Sequence, residues 1–168
     1  MSHITSLKRP RCEVDALVIQ CTSLRPNFDA VKSTAALLNQ TNTELRRRGY
    51  SVFFISRDYQ ARITGFAPFT EWKFENIEFD GFRAPECKLQ EAKARYDQFF
   101  DARTGLPKKF FAIFGVPRML NQARIQSKIV ETNPPARLTW HFMQPVSHDY
   151  FSKIFSHEKL PIESSLRP

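Results

Sequence analysis

At 168 residues and 42% hydrophobic content, the chain is long enough for one globular domain that buries roughly 70% of the surface its unfolded form exposes, and five Gly with eleven Pro do not suggest disorder. Lys and Arg outnumber Asp and Glu by 25 to 17, and the resulting net charge of +8 favours a polyanionic partner. Cys12, Cys21 and Cys87 are odd in number and lack metal-ligand spacing, which argues against a zinc site or disulfide framework and leaves free thiols, while the apolar run 16–19 is far too short to enter a membrane.

Residues 1–27 read as an N-terminal arm or junction of a single domain spanning 1–168; within it Lys8, Arg9 and Arg11 form a small solvated basic cluster around Pro10. Over 27–48, Phe28, Val31, Ala35, Leu38 and Leu45 follow helical spacing, with Arg46, Arg47 and Arg48 in the last turn and Gly49 ending it. The compact apolar run 50–56 predicts a buried strand, followed by a loop through Gly65, Ala67 and Pro68. Strands near 72–74 and 77–82 lead through the Ala84-Pro85-Glu86 turn into a strand at 88–92, after which Tyr96, Phe99 and Phe100 mark the apolar side of a helix. A helix over 118–131 begins just after Pro117 and stops before Asn133-Pro134-Pro135, with Gln122 and Gln126 on one face. Leu138, Trp140 and Phe142 alternate with Thr139 and His141 as in a half-buried strand, and Tyr150, Phe151, Ile154 and Phe155 predict a last helix. His148 and His157 read as surface residues, and His141 as a strand histidine on the face opposite Trp140.

Chemistry concentrates between residues 71 and 100. Asp80 falls on one predicted strand and Glu91 and Lys93 on or beside the next; alternate side chains share a face, so Glu91 and Lys93 project together while Ala92 points into the core. Asp80 and Glu91 supply hard oxygen ligands of the kind Mg²⁺ accepts, with Mn²⁺ as a substitute. Phosphodiester hydrolysis needs such groups, because the anionic ester must be screened, the water positioned and the leaving oxygen stabilised. Lys93 could transfer protons if burial lowers its pKa, or stay charged and bind phosphate. A bare Glu-x-Lys is more often a solvent-facing pair, and Asp80 beside Gly81 more often a turn cap. The chain has no Walker loop, no H-E-x-x-H helix and no G-x-S-x-G elbow.

The segments YQARITGF, TEWKFENIEFDGF, CKLQEAKARYDQFFD and LTWHF together resemble the restriction-endonuclease-fold toxins of bacterial polymorphic and type VI secretion systems, the fifth named family of that group, over roughly residues 59–155. The resemblance implies an α/β fold with a PD-(D/E)xK core, a mixed central sheet flanked by helices. It implies a metal-dependent DNase toxin of low sequence specificity, made in the bacterial cytoplasm, carried by a type VI delivery protein into the target-cell cytoplasm and restrained by a cognate immunity protein. Carried over by position, Asp80 and Glu91 match the metal-binding acids and Lys93 the catalytic lysine; Gln126 is the better catalytic candidate of the helix, with Glu71 and Gln122 secondary. An RNase toxin and a noncatalytic nucleic-acid-binding module stay open as alternatives, since no residue reports on the 2′-hydroxyl.

Overall fold

The computed structural model describes residues 51–67 and 71–168. The helix predicted over 27–48 with its three terminal arginines, the Lys8, Arg9 and Arg11 cluster, Cys12 and Cys21 lie outside the described residues.

In chain order the elements are α1 (Ser51–Thr64), β1 (Trp72–Phe74), β2 (Ile77–Phe79), β3 (Gly81–Arg83), β4 (Lys88–Lys93), α2 (Val116–Thr132), β5 (Arg137–Phe142), α3 (Pro145–His157) and β6 (Ile162–Leu166). Short 3₁₀ turns at Ala84–Glu86 and Tyr96–Phe99 flank β4, and a π-helical turn at Phe111–Gly115 runs into α2. Four strands make one mixed sheet in the order β3-β4-β5-β6, antiparallel between β3 and β4 and parallel across β4, β5 and β6. The helices flank it, as the sequence led us to expect. β1 and β2 form a separate hairpin whose two-residue turn places Glu75 and Asn76 at φ 50° and 61°, the doubly left-handed geometry that matches strand twist.

Several expectations are corrected. The helix expected to carry Tyr96, Phe99 and Phe100 is one short 3₁₀ turn, Tyr96–Phe99, with Phe100 already extended. Of the apolar run at 50–56, the described residues 51–56 are not a strand but fall in α1: Ile55, Tyr59 and Ile63 follow helical spacing through Thr64, and a short apolar run cannot by itself separate strand from buried helix. Gly65, at φ +78° with its N–H donating to the Ala61 carbonyl at 2.9 Å, closes the helix. The strand expected at 77–82 breaks at Asp80, which sits on a bend between β2 and β3. Cys87, expected as a free thiol, is disulfide-bonded; a spacing argument cannot see which cysteines the fold brings together.

Helices lie on both faces of the sheet. α1 lies so close to β3 that a Cβ on Gly81 would stand 2.5 Å from Thr64 Cβ, so Gly81 is there for close approach rather than for a turn. On the other face Leu89, Leu138, Trp140 and Phe142 meet Met119, Ala123 and Val130 of α2 and Phe151 and Phe155 of α3 in one core. Because β5 is an interior strand, it is buried from Leu138 through Phe142 rather than half-buried as its alternation suggested. β6 was not foreseen: IESSL carries too little apolar alternation to read as a strand, and it is recruited as an edge by its parallel pairing with β5.

Candidate active site

β4 sets the geometry. Leu89, Glu91 and Lys93 occupy the α2-facing side, and both charged residues are only 6% exposed. Ala92, expected to point inward, is half-buried on the opposite side with Gln90. The charged pair takes the covered side because α2 offers it polar partners. Gln122 and Gln126, one turn apart on one helical face, reach down onto it.

Lys93 Nζ donates to Glu91 Oε1 at 2.6 Å and to Gln122 Oε1 at 2.9 Å, and lies 4.5 Å from the Trp140 ring centroid. Gln126, fully buried, donates through Nε2 to Glu91 Oε2 at 2.8 Å, while its Oε1 accepts the Trp140 indole N–H at 2.9 Å. Both Glu91 oxygens are therefore held, in a chain running from Trp140 through Gln126 and Glu91 to Lys93 and Gln122. Burial alone would depress the Lys93 ammonium, but the charges of Glu91, Tyr96 and Asp80 together raise it. These surroundings favour the charged form of Lys93, the form that can bind phosphate.

Asp80 arrives from the bend before β3. Its Oδ2 accepts the Ala92 N–H at 2.6 Å, a side chain standing where a neighbouring strand would offer a carbonyl. Burial, followed by the negative charge of Glu91, pushes its carboxyl up to about 8, against the partial opposition of Lys93. Two carboxylates close enough to disfavour joint ionisation are a place where a cation is welcome. Glu71 stands at the margin, 3.4 Å from Arg57 of α1; burial, then the neighbouring Glu78, raises it. The structure thus brings Asp80, Glu91, Lys93, Gln122 and Gln126 together, with Glu71 beside them. His141 lies on the other side of the sheet, bonded to Gln90, and His157 is exposed.

Among the described residues no group of three His, Cys, Asp or Glu side chains is arranged to hold a metal ion. The donor set nonetheless fits Mg²⁺, which keeps several waters and takes one or two carboxylates. Asp80 and Glu91 supply those; Asp80 is raised first by burial and then by the charge of Glu91, and a bound cation would offset both. Sequence reasoning missed Trp140 as a member of the site. Its ring was read only as core, although a buried indole N–H usually needs an acceptor, and Trp140 pairs directly with Glu91 across the β4–β5 ladder.

A family model described as restriction endonuclease fold toxin 5 matches residues 56–145, more than half of the chain. The chain belongs to the restriction endonuclease fold toxin 5 family. The matched span begins inside α1 and ends at the start of α3, so it contains every site residue named above. Membership in this toxin family carries the restriction-endonuclease fold and nuclease activity in general, chemistry that such folds generally perform with divalent metals. None of the curated proteins matches the chain.

Proposed function

We propose that this member of the family is an antibacterial endodeoxyribonuclease toxin that hydrolyses DNA with little sequence preference, using Mg²⁺ with Mn²⁺ as a substitute. The observation that carries the reading is the convergence of Asp80 from a bend, Glu91 and Lys93 from β4, and Gln122 and Gln126 from α2. Asp80 and Glu91 would hold the metal, which when bound screens the ester and activates water. Lys93, kept protonated by Glu91, binds the charge that builds on the phosphate, and Gln126 fixes the orientation of Glu91. Gln122 holds Lys93 from the other side, and Glu71 contributes negative charge at the margin.

The chain would be made in the bacterial cytoplasm and carried by a type VI delivery protein into a neighbouring cell, with a cognate immunity protein restraining it in the producer. A net charge of +8 suits both a DNA substrate and an acidic inhibitor. Among the described residues no helix is long and apolar enough to cross a membrane.

Cleavage of supercoiled plasmid by wild type, Glu91→Ala, Lys93→Ala and Asp80→Ala proteins, with Mg²⁺, Mn²⁺ or EDTA and total RNA in parallel, tests the reading. DNA loss that requires metal and disappears in all three variants is expected. Equal cutting by all four proteins would remove the assignment, and preferential loss of RNA would make the chain an RNase.

A further inference from the structure

The sheet face opposite Glu91 and Lys93 is not fully covered by α1, and the uncovered part forms a pocket of about 440 Å³, within the range of small-molecule sites. Its floor comes from the other side of the same strands: Lys88 and Gln90 of β4, Thr139 and His141 of β5. Arg62 of α1, Arg83 of β3 and Arg167 just past β6 stand around it, so among the described residues four cations face one side-chain carboxylate, that of Glu163.

The floor carries more than surface charge. Gln90 is fully buried and His141 is only 7% exposed. Gln90 Nε2 lies 3.1 Å from His141 Nε2, and an amide nitrogen can only donate, so the imidazole accepts at Nε2 and carries its hydrogen on Nδ1. That Nδ1 and the Gln90 Oε1 are both buried without a hydrogen-bond partner. A buried donor and a buried acceptor left unpaired cost stability, and packing alone does not call for them on a strand floor. The cations differ in how they are engaged. Lys88 is tied to Glu86 and Glu163, and Arg62 donates to the Pro168 carbonyl. Arg83 makes only a long, exposed contact with Glu86.

We propose that this pocket is a second binding site, separate from the carboxylate site, for the phosphate group of a small phosphorylated molecule of about mononucleotide size. Arg83 and Arg167 grip the phosphate, for which guanidinium forks are suited. His141 Nδ1–H and Gln90 Oε1 supply the donor and acceptor for the body of the ligand, which favours a ligand bearing both a phosphate and a hydroxyl or amino group. The inference does not depend on the nuclease reading, because the two sites use opposite faces of the sheet.

Calorimetric titration of the full chain with adenosine 5′-monophosphate, inorganic pyrophosphate and adenosine tests it, using wild type, the Arg83→Gln/Arg167→Gln double variant and Glu91→Gln. Thermal melting of each protein checks folding, and both arginines are exposed. Saturable 1:1 binding of the monophosphate or of pyrophosphate is expected, weakened about tenfold or more in the double variant by the loss of two charge-assisted contacts and retained in Glu91→Gln. Adenosine alone should not bind. Binding of pyrophosphate but not the monophosphate would keep the phosphate site and make the ligand inorganic. No binding of either at millimolar concentration, binding that the double variant leaves unchanged, or binding that only Glu91→Gln abolishes would overturn the proposal.

Discussion

Glu91 and Lys93 form a desolvated ion pair, and such pairs respond to substitution unlike surface ones. Removing one partner strands the other charge, so Glu91→Ala should lower stability by about 3–5 kcal/mol in urea unfolding. Replacing both by apolar residues should recover most of that loss while leaving the protein inactive; a single-variant cost under about 1 kcal/mol would mean that the pair is solvated, as surface pairs are. Asp80 gives a pH signature. Its folded value of about 8 stands above the ordinary 3.8, so between those values the folded state keeps a proton the unfolded state has lost. Stability of metal-free protein should therefore fall as pH rises from about 4 to 8, and Asp80→Asn should flatten that slope in pH-dependent unfolding. His141 works the other way: burial holds it down at about 4 against 6.5, and its contribution is lost as pH falls between those values. The Asp80 effect is thus cleanest between pH 6.5 and 8. Glu91 and Lys93 were readable as a pair because Glu-x-Lys puts two side chains on one face of a strand, whereas Asp80 reaches them from a bend. Trp140 was not, because its function depends on a neighbouring strand some fifty residues away in sequence.

At the scale of elements, the join between β4 and α3 is made by a side chain. Gln144 offers α3 no side-chain cap; instead Asp97, in the 3₁₀ turn after β4, accepts the Val146 and Ser147 N–H groups at 3.0 and 2.7 Å and the Ser147 hydroxyl at 2.7 Å. In return Gln144 Oε1 accepts the Asp97 N–H at 3.1 Å. Asp97→Ala should cost about 1–2 kcal/mol, the range for a lost helix cap, measurable as a lowered urea midpoint. If stability is unaffected, α3 is held by its aromatic face alone. Elements with strong period were legible before folding was considered: α2 lies close to its expected bounds and β4 within one residue, while α3 contains its four expected residues but begins earlier, at Pro145. Those that failed did so for physical reasons. The 50–56 run has too few residues to show a period, and β6 exists only because β5 offers it an edge.

For the whole molecule, charge decides how a polyanion is met. Acidic groups gather on the α2-facing side around Asp80 and Glu91, whereas Arg62, Arg83, Lys88 and Arg167 ring the other side. If phosphate contacts supply affinity for DNA, plasmid cleavage at limiting enzyme should fall steeply between low and physiological salt, as counterion release requires. A rate indifferent to salt would show that the cations do not grip the substrate backbone. The mixed sheet with flanking helices was legible through the family resemblance, since the predicted order of elements misplaced the 50–56 run and lacked β6. The division of acidic and basic groups between its faces was not, since it depends on register.

Within that division β4 serves both sides, with Glu91 and Lys93 on one and Lys88 and Gln90 on the other, and this limits how the gene can change length. Deleting Ala92 would make Glu91 and Lys93 neighbours in sequence and so send them to opposite sides of the sheet. In-frame single-codon losses within 88–93 should accordingly be far less tolerated than substitutions at Ala92 itself.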